Sequence, residues 1–242
     1  DRLIQFPMGI FAIAIGTVLL PRLSKLDVGS QRQKFIDTLA NSQSLVIFIG
    51  IPSLIGLVFC SEDLIAAIFL RGEFQPIDVF RSSNSLIAFS FGLPFFMLMK
   101  VLTPAFFARK DTKTPMYVAF LALLLNAILN YVLAFVFNFG HVGLAIGSSI
   151  AAFVSVLILE FILFKNGLVY LKNLNYRFFI AIILSSTALI IFLKFYTAFT
   201  DFMIMSQAER FLYLGVEVIF SIIIYFSIAR LILGTSFIKQ FN

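Results

Sequence analysis

Seven apolar stretches, at about 3–20, 38–60, 84–107, 115–137, 142–164, 176–199 and 211–233, each come close to the length that crosses a bilayer. A spanning helix needs roughly 20 mainly apolar residues, so these stretches leave room for short connections and little else. The expected fold class is therefore all-α, a polytopic membrane protein with about seven transmembrane helices. Composition agrees, since 61% of the 242 residues are hydrophobic and only 12% are charged. A sequence pI of 9.6 then becomes a question of which loops carry Lys and Arg, and no nucleic-acid partner is expected from it.

Those loops alternate in charge. Arg22, Lys25, Arg32 and Lys34 follow the first stretch, Arg109, Lys110 and Lys113 the third, and Lys165, Lys172 and Arg177 the fifth. The intervening loops carry Glu62, Asp63, Glu73 and Asp78 beside Arg71 and Arg81, then only His141, then Asp201 and Glu209 beside Arg210. By the positive-inside rule the first set is cytoplasmic, which puts the C-terminal tail with Lys239 in the cytoplasm. Between the second and third stretches, "SEDLIAAIFLRGEF" places Leu64, Ile65, Ile68 and Phe69 on one face of a helix too short to span, and it is expected to lie in the interface. No signal peptide pattern precedes the first span, and a chain opening on Asp1 and Arg2 reads as a piece of a longer protein.

Helix breakers sit inside three of the stretches: Pro7, Gly9 and Gly16, then Pro52 and Gly56, then Gly92 and Pro94. They suit helices bent around a cavity, and equally the ordinary Gly and Pro content of membrane helices. Gly143 and Gly147 have the small-xxx-small spacing that lets helices approach closely.

The inventory for catalysis is thin. With one His, a single Cys60 and few intramembrane carboxylates, no triad, metal cluster or paired-acid site can be drawn, so the chain is not expected to be an enzyme or to hold a metal or cofactor. Ionisable groups inside spans are the functional candidates. Arg2 offers a planar fork of donors to a phosphate, or snorkels to headgroups. Lys100 lies nine residues before Arg109, about 13 Å deeper along a helix, and faces a cavity, pairs with a carbonyl freed near Pro104, or meets lipid. Glu160 is expected to pair locally with Lys165, and Glu217 to make an interhelical hydrogen bond. Asn126 and Asn130, four residues apart, share a helix face and serve either as interhelical glue or as part of an oxygen-lined cation site suited to sodium.

The motifs "DRLIQFPMGIFAIAIGTVLLPRLSK", "FLRGEF", "KVLTPAFFARKDTKTP" and "GHVGLAIGSSIAA", in this order and spacing, closely resemble the C-terminal half of the MurJ (MviN) lipid II flippases, members of the multidrug, oligosaccharidyl-lipid and polysaccharide exporter superfamily. The resemblance is motif-specific from Asp1 to about Lys165 and continues by helix pattern only. It implies a fourteen-helix fold of two six-helix lobes, of which this chain begins inside the eighth helix. Residues 1–165 then belong to the C-terminal lobe, and 166–242 form two additional helices with a lipid-facing groove. The implied activity moves the undecaprenyl-pyrophosphate-linked peptidoglycan precursor to the outer leaflet of the bacterial inner membrane by alternating access.

On that resemblance Arg2 matches the cavity arginine of the family's DR motif, with Asp1 orienting it and Lys100 a further substrate-facing candidate. Gln5 stands where the family often has Glu. Asn126 and Asn130 match the eleventh-helix part of a proposed cation site, although an acid can occur at the second position. Coupling to sodium, protons or membrane potential is implied without a choice among them. The implied partners are the lipid-linked precursor, membrane lipids and cell-wall synthesis proteins. Export of another polyprenyl-linked saccharide or drug, and a non-transporting scaffold, are the rival readings.

Overall fold

The computed structural model describes residues 2–26, 29–168 and 176–234. They form α1 (Arg2–Ser24), α2 (Arg32–Phe59), the short α3 (Ser61–Phe69), α4 (Pro76–Ser90), α5 (Leu93–Ala108), α6 (Lys113–Val136), α7 (Gly140–Lys165), α8 (Tyr176–Phe199) and α9 (Gln207–Leu233). With α4 and α5 taken together as Pro76–Ala108, seven helical spans are long and apolar enough to cross a membrane. Two of them, at Arg32 and Pro76, begin well over a helical turn before their apolar stretch does. Their first turns carry charge, at Arg32 and Lys34 and at Asp78, which lowers the local hydropathy, yet their hydrogen bonds extend the same helix.

The chain divides into two compact units, Asp1–Gly50 with Ala88–Asn173 and Ile51–Ile87 with Leu174–Asn242. In the first, α1 packs on α5, α5 on α7, and α6 on α7. Leu19, Leu23, Met97, Val101, Leu102, Phe106, Leu159 and Leu163 are buried there. Pro104 has no N–H to offer the carbonyl of Lys100, one turn before it. That carbonyl is covered by Gly16 of α1, where a Cβ would stand 2.5 Å from the Lys100 oxygen and 4.0 Å from Pro104 Cγ. The breaker in α5 and the glycine in α1 are thus one contact.

The other breakers act differently. After Pro7, α1 widens into a π-helical segment, Met8–Ile13, the local adjustment that re-registers a helix around a missing donor. Pro52 lies within α2 without interrupting it. Gly92 separates α4 from α5, and a Cβ there would be 2.6 Å from Ser149 Oγ of α7, which donates to the carbonyl of Ala88 at 2.8 Å. Gly143 and Gly147 behave as the spacing predicts, backing onto the main chain of Leu133 and Ala134 and onto Asn130 in α6.

The charged knot between α5 and α6 is a turn. Lys110 takes the left-handed conformation, with φ 61°, just past the helix end, and the Asp111 N–H donates to the carbonyl of Phe106 at 3.0 Å. The Asp111 carboxylate accepts the Thr114 N–H at 3.0 Å, and hydrogen bonding to Thr114 holds its pKa below the usual carboxylate range.

In the second unit α8 and α9 pack together around Leu189, Leu193, Tyr225 and Ala229. Ser206 and Glu209 form a capping box at the start of α9. The short helix α3 packs on α9. The face it buries runs through Asp63, Ile65, Ala66 and Ala67, while Phe69 is exposed and Leu64 and Ile68 half-buried. The expected apolar face is therefore only partly the docked one, because small alanines allow closer approach to a neighbouring helix than the bulkier Leu and Phe do.

Replacing Gly16 with Ala should force α1 off the Lys100 carbonyl and cost about 1–3 kcal/mol of stability, read as a lower thermal midpoint of the purified protein. A midpoint equal to wild type would show that this contact does not hold α1 to α5.

Candidate functional site

The first-unit helices carry the sequence-derived candidates. Arg2 opens α1 with its side chain exposed and, among the described residues, makes no hydrogen bond or ion pair. Asp1 lies outside the described residues. Lys100 is exposed on α5. The carbonyl freed by Pro104 is that of Lys100 itself and is covered by Gly16, so it does not serve as a partner for the ammonium.

Arg2 and Lys100 sit on packed helices but at different depths. Gly16 marks the level of Lys100 on α1. The fourteen residues from Arg2 to Gly16 correspond to roughly 21 Å along the helix axis. The two cations therefore cannot grip one phosphate group together. Each presents its charge alone, the guanidinium with a bidentate fork and the ammonium as a point charge.

The asparagines are brought into a relay across α6 and α7. Asn130 Nδ2 donates to Asn126 Oδ1 at 2.6 Å, Asn126 Nδ2 donates to Ser148 Oγ at 3.0 Å, and Ser148 Oγ donates to the carbonyl of Leu144 at 3.0 Å. One acceptor is left over, since Asn130 Oδ1 is buried and has no hydrogen-bond partner among the described residues. It lies against Gly147, where a Cβ would be 2.5 Å away. The relay ties α6 to α7, and Asn130 Oδ1 is the oxygen of the pair that it leaves without a donor.

Several polar side chains do work that the sequence did not disclose. Arg32 Nη2 donates to the carbonyls of Asn166 and Gly167, both at 3.0 Å, tying the start of α2 to the carboxyl end of α7. Gln43 of α2 donates to Glu160 of α7, so Glu160 finds its partner across helices rather than in the adjacent Lys165. Arg210, counted above as a loop charge, is buried and donates to the carbonyls of Phe202 (2.7 Å), Leu70 (2.8 Å) and Met203 (3.2 Å). Glu217 is fully buried, and neither carboxylate oxygen accepts a hydrogen bond among the described residues, against the expectation of an interhelical bond. No spacing rule announces contacts between residues more than a hundred positions apart.

A recess of about 340 Å³ is lined by Met99, Thr103, Phe107, Pro115, Met116 and Leu159, among others. It is apolar and includes neither Arg2 nor Lys100, so it suits an alkyl chain and not an anionic head.

Residues 1–213 match the family model described as "Lipid II flippase MurJ". A "Probable lipid II flippase MurJ" of Vibrio cholerae is 41% identical over 173 residues, 72% of this chain and 33% of that protein. The "Lipid II flippase MurJ" of Thermosipho africanus is 31% identical over 230 residues, 95% of this chain and 45% of its own. Among solved structures, "Lipid II flippase MurJ, inward closed conformation" is similar over 95% of this chain and 44% of its own length, with a TM-score of 0.75 and 28% identity. The chain thus spans between a third and a half of the length of these relatives.

Replacing Asn126 and Asn130 together with Leu should lower the thermal midpoint by the equivalent of about 1 kcal/mol, the scale of interhelical hydrogen bonds in membranes. Measured in sodium and in choline chloride, an equal loss assigns the amides to packing, and a loss confined to sodium assigns them to an ion.

Proposed function

The chain belongs to the MurJ lipid II flippase family, and on that premise we propose that it takes part in moving a polyprenyl-pyrophosphate-linked peptidoglycan precursor from the cytoplasmic to the outer leaflet of the bacterial inner membrane. The observation that carries this reading is the family match over residues 1–213, supported by seven apolar spans in the same fold. The orientation proposed is the one the loop charges favour, with the turn holding Arg109, Lys110 and Lys113 and the C-terminal end both cytoplasmic.

In this reading Arg2 meets the diphosphate. A diphosphate leaving water loses strong hydration, and an exposed guanidinium that makes no bond among the described residues can replace part of it with two parallel charge-assisted hydrogen bonds. Asp1 would orient Arg2, and Lys100, at another depth, would meet the headgroup at a different stage of passage. The polyprenyl tail stays in lipid along α8 and α9, within the groove assigned to residues 166–242. Alternating access moves the head, and no covalent bond is made or broken, so the activity is transport and needs no organic cofactor. Sodium or proton coupling supplies the drive, with Asn130 Oδ1 and Asn126 as the ligands offered to sodium.

In cells depleted of their own flippase and complemented with the full-length protein, Arg2→Ala should lower precursor translocation by about tenfold or more, the factor expected on losing a charge-assisted bond of about 1.4 kcal/mol or above. Arg2→Lys should rescue little if the fork geometry matters. Full translocation by Arg2→Ala at normal membrane abundance would remove the diphosphate role.

A further inference from the structure

The second unit buries two carboxyl groups whose unpartnered oxygens meet no counter-charge among the described residues. Asp63 of α3 is 9% exposed and Glu217 of α9 is 0% exposed, and the helices that carry them are packed together. Asp63 Oδ2 and both Glu217 oxygens are buried without a hydrogen-bond partner. Ser221 Oγ, one turn further along α9, is likewise buried and unpartnered, so neither carboxyl has recruited it as a donor. The two acids are close enough for the charge on Glu217 to act on Asp63.

The surrounding titratable groups do not neutralise them. Cys60 sits beside Glu217, and burial pushes its thiol up, so it adds no charge. Glu62 and Asp201 add further negative potential at Asp63. The Tyr196 hydroxyl near the pair already donates to the carbonyl of Tyr213 at 2.9 Å. Arg210 reaches the end of α3 at the Leu70 carbonyl, and all three of its bonds go to backbone carbonyls.

A bare carboxylate held away from water is unfavourable by several kcal/mol, and two adjacent ones cannot both stay ionised. A metal would be one remedy, but among the described residues no group of three or more His, Cys, Asp or Glu is arranged to hold one. We propose that Asp63 and Glu217 form a proton-binding site that retains at least one proton at neutral pH and, when occupied, holds α3 against α9. Burial first, and the nearby Glu217 charge second, raise the Asp63 pKa from its ordinary 3.8 to about 7. A pKa raised on folding contributes stability in full below 3.8 that is lost as pH climbs to about 7, so deprotonation loosens the α3 contact as pH rises through neutrality. Proton binding here does not depend on which substrate the protein moves.

The test is infrared difference spectroscopy of the full-length protein in lipid vesicles, titrated in N-methylglucamine chloride and in sodium chloride. A protonated-carboxyl C=O band should be present at neutral pH, titrate away as pH rises, and be lost or diminished in both Glu217→Gln and Asp63→Asn. These near-isosteric changes mimic the protonated form and should preserve folding. The wild-type thermal midpoint should fall between pH 3.8 and about 7, and that slope should flatten in Asp63→Asn. A band unchanged in both variants, a midpoint independent of pH, or bleaching of the band by sodium at constant pH would each overturn the proposal, the last by making the site one for a metal cation.

Discussion

A chain in lipid must satisfy its backbone hydrogen bonds within itself, and the positions where this one fails to do so organise its packing. Where Pro104 deprives the Lys100 carbonyl of a donor, the bare backbone of Gly16 covers it and draws α1 onto α5. Where Pro7 interrupts α1, the helix widens to a π segment before resuming. At Gly92 the ladder breaks between α4 and α5, and Ser149 from α7 takes up the Ala88 carbonyl. At Pro104 and at Gly92 the deficit is met by a neighbouring helix, so breaker and partner act as a unit, while at Pro7 the helix adjusts within itself.

The same demand explains two arginines whose role is structural. Arg32 and Arg210 both direct their donors at main-chain carbonyls, the first at the end of α7 and the second at the end of α3 and in the turn between α8 and α9. Helix ends leave carbonyls without intrahelical donors, and the planar fork of arginine serves two or three of them from one side chain. The asparagine relay across α6 and α7 is the neutral version of this economy, with one oxygen unspent.

Against that background Arg2 and Lys100 stand apart, because they are cations that the described structure does not employ. So do Asp63 and Glu217, buried acids whose unpartnered oxygens no cation among the described residues answers. Polar groups that packing has not consumed can meet a ligand, whether a phosphate for the exposed arginine or a proton for the enclosed carboxyls.

The fold class, the seven spans and the charged turn at 109–113 were legible in the residues alone, since hydropathy over a span and the charge of short loops are sums over neighbours in sequence. The motifs around Arg2 and the Lys100–Pro115 stretch carried the family likeness for the same reason. The close approach at Gly143 and Gly147 also followed from spacing within one helix. What partners Glu160, which face α3 buries and where Arg210 points depend on residues brought together from distant parts of the chain. Burial and hydrogen-bond satisfaction are properties of such pairs, and only the tertiary structure decided that Glu160 would be answered by Gln43 while Glu217 finds no hydrogen-bond partner among the described residues.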